Sequence, residues 1–332
     1  MHINVAHFSR KPYDSSFISI ERLFSDIRKA MPDEINSKLV EMPFYSKGFI
    51  NRVFNIIFSS FHQSEVNHVV GDIHYVNLLM RKSKTILTIH DCAPIEQLNG
   101  VKKWILIKLW YTWPIKRSSI VTAISESTKK EILKYVNCPK DKIIVIRNCI
   151  SNDFKYNKKP FNKEYPIFLH IGTSYNKNLL RHIEAIKEIK CKLVIIGKLK
   201  EQHILALKES SIDYDNFVGI SDTEIIAQYE NCDVVLFCST YEGFGLPIIE
   251  ANAIGRPVLT SNIYSMPEVA SNAACIADPF DVNSIKNGIE KIIGDANYRE
   301  QLIKNGLHNA EAYTQESVAN EYAKIYKNIA IK

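Results

Sequence analysis

The strongest constraint on this chain is an alternation. Eight short, β-branched apolar runs recur along it, at residues 3–6, 85–89, 120–124, 143–146, 167–171, 193–196, 234–237 and 257–260, each followed by turn residues and a helical pattern. Runs that are apolar throughout belong to strands covered on both faces, which means parallel sheets flanked by helices. The expected fold class is therefore α/β. At 332 residues the chain has room for two domains of ~150 residues. A polar, lysine-rich stretch with two prolines, residues 152–166, marks the division. The expected organisation is a first domain at 1–152, a linker at 153–165, a second domain at 166–312 and a terminal helix at 313–332. That helix carries Val318, Tyr322, Ile325, Tyr326 and Ile329 on one stripe, so it must pack on its own domain or back on the first.

Composition narrows the class. A 46% hydrophobic, 23% charged chain is globular rather than disordered. Its seven cysteines are odd in number and widely spaced, with no C-x-x-C pair, which fits a reducing cytoplasm and no zinc or thiol chemistry. Residues 1–8 lack the pattern of a secretory signal, and no stretch reaches the ~18 apolar residues of a membrane span. The net charge of +6 is uneven: residues 1–150 carry +9 and the rest −3. Residues 44–61 and 102–117 mix aromatics, aliphatics and cations, a composition suited either to packing on a sheet or to peripheral contact with an anionic membrane. No recognition motif accompanies the basic charge, which excludes nucleic acid as a partner.

The chemistry concentrates after the run 234–237. There Glu242-Gly-Phe-Gly-Leu-Pro-Ile-Ile-Glu250 reads as a strand, a glycine turn and a helix from Leu246 to about Ile254, with proline in its first turn. Free amides and the positive dipole end suit a phosphate. Glu242 stands before the turn and Glu250 about two helical turns inside, two acceptors fit for vicinal sugar hydroxyls. Lys177 follows the run 167–171 and Gly172, just ahead of a helix starting near Asn178, where a cation would sit beside a bound anion. In the first half, His90 and Asp91 end the run 85–89, at the edge where open α/β sheets bind ligands. Ser125 is a natural cap for a helix reaching about Tyr135. Asp213 and Asp215 form a D-x-D that reads as surface. Asp72 and His74 have no third metal ligand nearby and read as structural or as part of an acceptor-side loop.

These motifs carry a resemblance. Glu242 to Glu250, followed by Gly255-Arg-Pro257 and Met266-Pro-Glu268, is similar to the donor-site signature of family 4 retaining glycosyltransferases of the bacterial polysaccharide and O-antigen type. The segment from His170 through Gly172, Lys177 and Asn178 resembles the same family's glycine loop. The resemblance covers residues 120–330 well and the first 80 poorly. It implies the GT-B fold, two Rossmann-like domains facing a cleft, with the acceptor on the first and a nucleotide-diphosphate sugar on the second. Catalytic roles fall to Glu242, His90 and Lys177. Donor binding falls to Gly172, Thr173, Lys177, the amides of Phe244 and Gly245, Leu246 and, at the ribose, Glu250. His74, Asp91 and Ser125 lie toward the acceptor. The family often has arginines where this chain has Thr173 and Asn176, which shifts phosphate binding onto Lys177 and the loop amides.

The implied reaction is retaining transfer of a hexose, of mannose, rhamnose or fucose type, from a GDP-, UDP- or dTDP-linked donor to a glycan or lipid-linked acceptor, without metal or cofactor. The enzyme would be cytoplasmic, or peripheral on the inner face of the plasma membrane. A nucleotide-sugar epimerase or phosphorylase of the same fold, and an inert GT-B scaffold, are the alternative readings.

Overall fold

Each half of the chain builds one parallel sheet. The computed structural model describes residues 2–12 and 19–331, in two units, Met1–Ser151 with Thr314–Lys332 and Asn152–Tyr313. The first sheet holds β1 (Ile3–Ser9), β2 (Ile35–Glu41), β3 (Val66–Val69), β4 (Thr85–Ile89), β5 (Ile120–Ala123) and β6 (Ile143–Val145), in the order β2-β1-β3-β4-β5-β6. Every pairing is parallel. Its helices include α1 (Ser19–Lys29), α2 (Phe49–Phe61), α3 (Gly100–Leu106) and α4 (Glu126–Tyr135). Beyond α3 the chain widens into a π-helical segment, Ile107–Thr112, before the helical turn Trp113–Lys116.

The second sheet holds β7 (Ile167–Ile171), β8 (Lys192–Ile196), β9 (Asp213–Phe217), β10 (Val234–Phe237), β11 (Val258–Ser261) and β12 (Cys275–Ala277), in the order β12-β11-β10-β7-β8-β9 and again all parallel. Among its helices are α5 (Leu179–Ile186), α6 (Asp222–Asn231) and α7 (Leu246–Ile254). Counted from β7, the order is that of a doubly wound sheet whose direction of winding reverses between β7 and β10. Loops leaving the carboxyl ends of those two strands diverge to opposite faces, and a crevice opens between them.

All eight expected runs are strands. Four more strands are β2, β3, β9 and β12. β2 and β9 are sheet edges, where polar side chains face water, and the edge strand β12 is apolar but only three residues long, Cys275–Ala277; Asp213 and Asp215, expected in a polar surface segment, lie on edge strand β9, held by Tyr165 Oη at 2.7 Å and Lys192 Nζ at 2.8 Å. β3 is central, but Asn67 and His68 interrupt its apolar character.

Residues 153–165 carry neither helix nor strand. They lie on the second unit: Phe161 packs on its core, Arg256 Nη1 donates to Asn157 O at 2.7 Å, and the Asp233 carboxylate accepts from the amides of Asn162 and Ile167 at 3.2 and 2.8 Å. The C-terminal helix, Gln315–Ile331, turns its stripe of Val318, Tyr322, Ile325, Tyr326 and Ile329 into the first unit, against Val5, Phe24, Ile27, Val66 and Ile86. Lys84 Nζ satisfies its last carbonyls, at Ile329 and Ala330, from 3.1 and 2.9 Å.

A polar chain runs beneath this helix. Tyr326 Oη lies 2.9 Å from His7 Nε2 and 2.7 Å from His68 Nδ1, while His68 Nε2 meets Thr88 Oγ1 at 2.7 Å and Thr88 meets Thr122 at 2.6 Å. Burial, reinforced by the Arg28 charge, pushes His7 down to about 3 from 6.5. Burial likewise holds His68 well below its ordinary value. Both rings are neutral in the folded protein. Below about 6.5 the unfolded chain takes up a proton at His7 that the folded chain refuses until about pH 3, so stability is lost as pH falls through that window. Between pH 6.5 and 4 the loss from His7 is on the order of 2–3 kcal/mol. In urea unfolding followed by circular dichroism, His7→Gln is expected to lose that much less than wild type over the same interval. Equal losses would show that His7 is not held neutral by the fold.

Candidate donor site

The crevice at the β7/β10 reversal is built from two loops. The first leaves β7 at Gly172, whose φ is 88° and whose missing Cβ would stand 2.9 Å from Lys177 Cγ. Only glycine lets the Lys177 stem fold back over the loop. After a 3₁₀ turn at Tyr175–Lys177, Asn178 takes the left-handed conformation at φ 64° and caps the start of α5. Asparagine tolerates that region better than most residues. Its side chain makes the position useful: Nδ2 donates to Cys238 O at 2.9 Å and to Pro279 O at 2.7 Å, tying the β7 loop to the β10 loop.

Beneath the loop lies a buried histidine pair. His170 Nε2 is 2.8 Å from Gly172 O, and its Nδ1 is 2.9 Å from His182 Nδ1. A carbonyl only accepts, so His170 carries its proton on Nε2, and His182 must donate from Nδ1. Burial lowers His170 to about 4 and His182 further below its ordinary value, so both are neutral. The pair fixes the carbonyl of Gly172, and with it the entry of the loop.

The second loop runs from β10 to α7. Thr240 N donates to Asn176 O at 2.8 Å, and Asn176 Nδ2 donates back to Tyr241 O at 2.9 Å. Lys177 Nζ then reaches Glu242 Oε1 at 2.6 Å, 4.9 Å above the ring of Phe237. Both side chains stay partly open, 21% and 14% exposed. The Ser265 hydroxyl pins the turn, 2.7 Å from Phe244 O and 2.9 Å from Glu242 O. Phe244 itself is buried, its ring 5.8 Å from that of Tyr313, so only its backbone is available at the turn. Gly245, at φ 112°, caps α7; Pro247 has no N–H and Ile248 N donates to Gly245 O at 3.0 Å, so among the first residues of the helix the Leu246 amide has no acceptor within it.

Glu250 lies in α7 four residues past Leu246, one turn inside the helix rather than two. Its Oε2 accepts from Tyr229 Oη. Tyr229, on α6, is fully buried with its ring edge against Phe154, and burial beside the Glu250 charge raises its hydroxyl well above the usual range. A neutral donor therefore orients one carboxylate oxygen. Thr173 differs from a free ligand contact: its hydroxyl donates to Lys198 O at 2.7 Å. Sequence reasoning missed Tyr229, His182 and Ser265. Each acts from a different element; Ser265 directly precedes the Met266-Pro-Glu268 segment, whereas Tyr229 and His182 have no local motif that assigns them a role. Asn178 had a signal, the preference of asparagine for left-handed positions.

The remaining candidates belong to the first unit. His90 follows the last residue of β4 and is buried, with Nε2 donating to Val70 O at 2.9 Å. Asp91 Oδ1 accepts from Ala93 N at 2.9 Å. His74 Nδ1 lies 2.8 Å from Trp110 O, and burial lowers its basicity. Ser125 caps α4, accepting from Thr128 N at 3.0 Å.

Comparison with known proteins identifies the family. A family model described as glycosyl transferases group 1 matches residues 151–308, and one described as glycosyltransferase family 4 matches residues 49–154. The O-antigen chain mannosyltransferase B of Escherichia coli is 28% identical over 233 residues, 63% of this chain and 61% of that protein. The O-antigen chain mannosyltransferase RfbU of Salmonella typhimurium is 27% identical over 235 residues, 68% and 64% of the two chains. The chain thus spans less than two thirds of these relatives, and 32% of the Escherichia coli serotype-specific mannosyltransferase WbdA, to which it is 27% identical over 71% of its own length. Among solved structures, Anabaena Alr3699/HepE in complex with UDP and glucose superposes with a TM-score of 0.80 at 13% identity, covering 98% of this chain and all of that one. Two matched models, on two parallel six-stranded sheets of this order, make the chain a member of the family 4 glycosyltransferases, with the GT-B fold.

Proposed function

We propose that the protein transfers a hexose, with retention of anomeric configuration and without a metal ion, from a nucleotide-diphosphate sugar to a glycan or lipid-linked acceptor of a bacterial surface polysaccharide. The observation that carries the reading is the pairing of Lys177 with Glu242 beside the amino end of α7, with Glu250 oriented by Tyr229. Such a site offers a cation and free amides to a diphosphate and two acceptor carboxylates to sugar hydroxyls. Mannose is the first sugar to test, since relatives are named mannosyltransferases. The first unit would take the acceptor, near His90, and the enzyme would work in the cytoplasm in peripheral contact with an anionic membrane.

In the proposed reaction the acceptor hydroxyl attacks the anomeric carbon on the face the diphosphate leaves. The sugar–phosphate bond breaks as the new glycosidic bond forms, and the departing phosphate takes the acceptor's proton. The protein's part is positioning and stabilising charge on the leaving diphosphate. Lys177 and the α7 amides do the second, Glu242 and Glu250 the first.

The deciding experiment is thermal unfolding against GDP, UDP, dTDP and ADP, each with magnesium and with EDTA. One nucleotide should stabilise by about 2.7 kcal/mol at a hundredfold excess over Kd, and the shift should survive EDTA. No shift with any of them would refute the donor reading; a shift lost in EDTA would refute metal independence.

Three variants divide the roles. Glu250→Ala should weaken nucleotide binding about tenfold or more, at ~1.5–3 kcal/mol per charge-assisted bond. Tyr229→Phe keeps the carboxylate and loses its orientation. Its expected effect is a rise in donor KM of about three- to tenfold with kcat preserved, whereas a purely structural role would lower the melting temperature and leave KM unchanged. Lys177→Ala should reduce kcat by more than it weakens donor binding; equal losses would remove its role in the transition state.

A further inference from the structure

The loops at the amino edge of the first sheet enclose a cavity that the donor and acceptor readings leave unused. Its volume is about 520 Å³, and its walls are Arg81, Lys82, Ser83, Ser118, Ser119 and Lys142. These residues precede β4, β5 and β6, which start at Thr85, Ile120 and Ile143. His90 and Asp91 follow the other end of β4, and Ser125 that of β5. The cavity therefore lies across the sheet from the edge where open α/β sheets bind their ligands. Ser118 is buried, Ser119 and Lys142 are half-buried, and Arg81, Lys82 and Ser83 are exposed, so it descends from a basic rim to a hydroxyl-lined floor.

The cations around this cavity have no counter-charge. None of its lining residues is acidic, and among the described residues no carboxylate pairs with Arg81, Lys82 or Lys142. Lys142 loses proton affinity to burial and to the neighbouring Lys82 charge. Like charges held near each other raise the free energy of the empty protein, and an anion between them lowers it. The backbone that holds them is fixed. Arg81 N donates to Gln63 Oε1 at 2.8 Å and its Nη2 to Ser64 O, which anchors the guanidinium and leaves it further donors. Thr85 Oγ1 and Lys84 N donate to Arg81 O at 2.8 and 3.0 Å, closing the 3₁₀ turn Lys82–Lys84, and Ser119 N donates to Thr85 O at 2.8 Å. The Ser118 hydroxyl is engaged by Pro114 O and Asn77 Nδ2, both at 2.9 Å. Ser83 and Ser119 are the hydroxyls left for a ligand.

The donor set selects the ligand's chemistry. A phosphoryl group carries about 1.5–2 negative charges at pH 7 and three acceptor oxygens, which suits three cations and two hydroxyls; a carboxylate brings one charge and two oxygens. The volume of about 520 Å³ falls among small-molecule sites, ~300–1,000 Å³, and leaves room for an organic group beyond the phosphate. We propose that this cavity binds the phosphoryl group of a small soluble anion, inorganic phosphate or a phosphate monoester, between Arg81, Lys82 and Lys142, with the Ser83 and Ser119 hydroxyls on its oxygens. The site is separate from the donor crevice and does not depend on the function proposed for it.

The probes are inorganic phosphate and glucose 6-phosphate, titrated by calorimetry at constant ionic strength in sodium chloride. Saturable binding of phosphate at one site is expected. Tighter binding of glucose 6-phosphate would assign a monoester as the natural ligand, and weaker binding the free ion. Lys82→Gln/Lys142→Met keeps most of both stems, removes both charges, and should weaken phosphate about tenfold or more. Lys177→Ala, at the donor site, should leave phosphate affinity unchanged. Without ligand, the double variant should melt at or above the wild-type temperature, because it relieves an uncompensated repulsion. The inference is overturned if phosphate does not saturate, if the double variant binds it as wild type does, or if Lys177→Ala is the variant that abolishes binding. A lower melting temperature for the ligand-free double variant would make the two charges structural and also overturn it.

Discussion

The contact of Lys177 with Glu242 is the point on which the proposed donor site depends, and it exists because of topology. β10 lies beside β7 in the sheet although more than sixty residues separate their ends, and the reversal of winding leaves their outgoing loops facing across a crevice. Three local decisions turn that adjacency into a functional pair. Gly172 vacates the space the lysine stem needs, Asn178 bends left-handed and bonds to the opposite loop, and Asn176 exchanges backbone and side-chain bonds with residues 240–242. An ammonium held 2.6 Å from a carboxylate is already aimed before any ligand arrives. On the proposed reading, an entering diphosphate competes with Glu242 for the lysine, and the sugar's hydroxyls take the lysine's place as donors to the carboxylate.

Strands in these sheets were legible because they are predominantly apolar, and the eight expected runs, seven of them central and one, β6, at an edge, are so despite single polar residues such as Asn4, Thr88 and His170. The pattern fails at two edges. β2 reads Ile-Asn-Ser-Lys-Leu-Val-Glu and β9 reads Asp-Tyr-Asp-Asn-Phe, sequences whose outward residues meet water and whose pairing comes from one neighbour only. It fails also in β3, a central strand, for a different reason: Asn67 and His68 are polar, and His68 is satisfied by Tyr326 from a helix 258 residues away. A polar residue whose partner is that remote looks, locally, like evidence against a strand. The site divides in the same way. The motif from Glu242 to Glu250 is contiguous, so its turn, its helix and its carboxylates could be read directly. The groups that orient it come from elsewhere, Tyr229 from α6 and Ser265 from the loop after β11, and no spacing in the sequence connects them to it.

Buried polar groups do much of the positioning in both units, and each is tolerated because it is bonded. A buried hydroxyl or amide without a partner costs about 1–3 kcal/mol, and a charged imidazole would cost more. The histidines accordingly stay neutral, and in His170 and His68 both ring nitrogens are bonded, one as donor and the other as acceptor. His170 transmits the position of α5, through His182, to the Gly172 carbonyl. His68 transmits the position of the C-terminal helix, through Tyr326, to the centre of the first sheet. An apolar side chain would fill either volume, but it would not define a single register between the elements.

The same logic accounts for helix α2, whose apolar stripe of Ile50, Phe54 and Phe61 faces outward. A helix can turn Ile50, Phe54 and Phe61 to the outside only if what it turns inward is well enough held to replace them. Asn55 is held fully: its Oδ1 accepts from Phe44 N at 3.2 Å, and its Nδ2 donates to Phe44 O at 2.9 Å with Tyr75 Oη at 3.3 Å. The Ser59 hydroxyl lies 2.7 Å from Val76 O and 2.8 Å from Ile56 O. These bonds tie the helix to the segment before it and to the 3₁₀ turn after β3, and they fix its rotation. Rotating α2 by half a turn would bury the aromatic stripe, gaining roughly 25 cal/mol per Å² of apolar surface, but it would break the bonds of Asn55 to Phe44 and Tyr75 and of Ser59 to Val76, leaving only the Ser59 bond to Ile56 O within the helix. The exposed stripe is therefore a conformation the fold enforces from beneath.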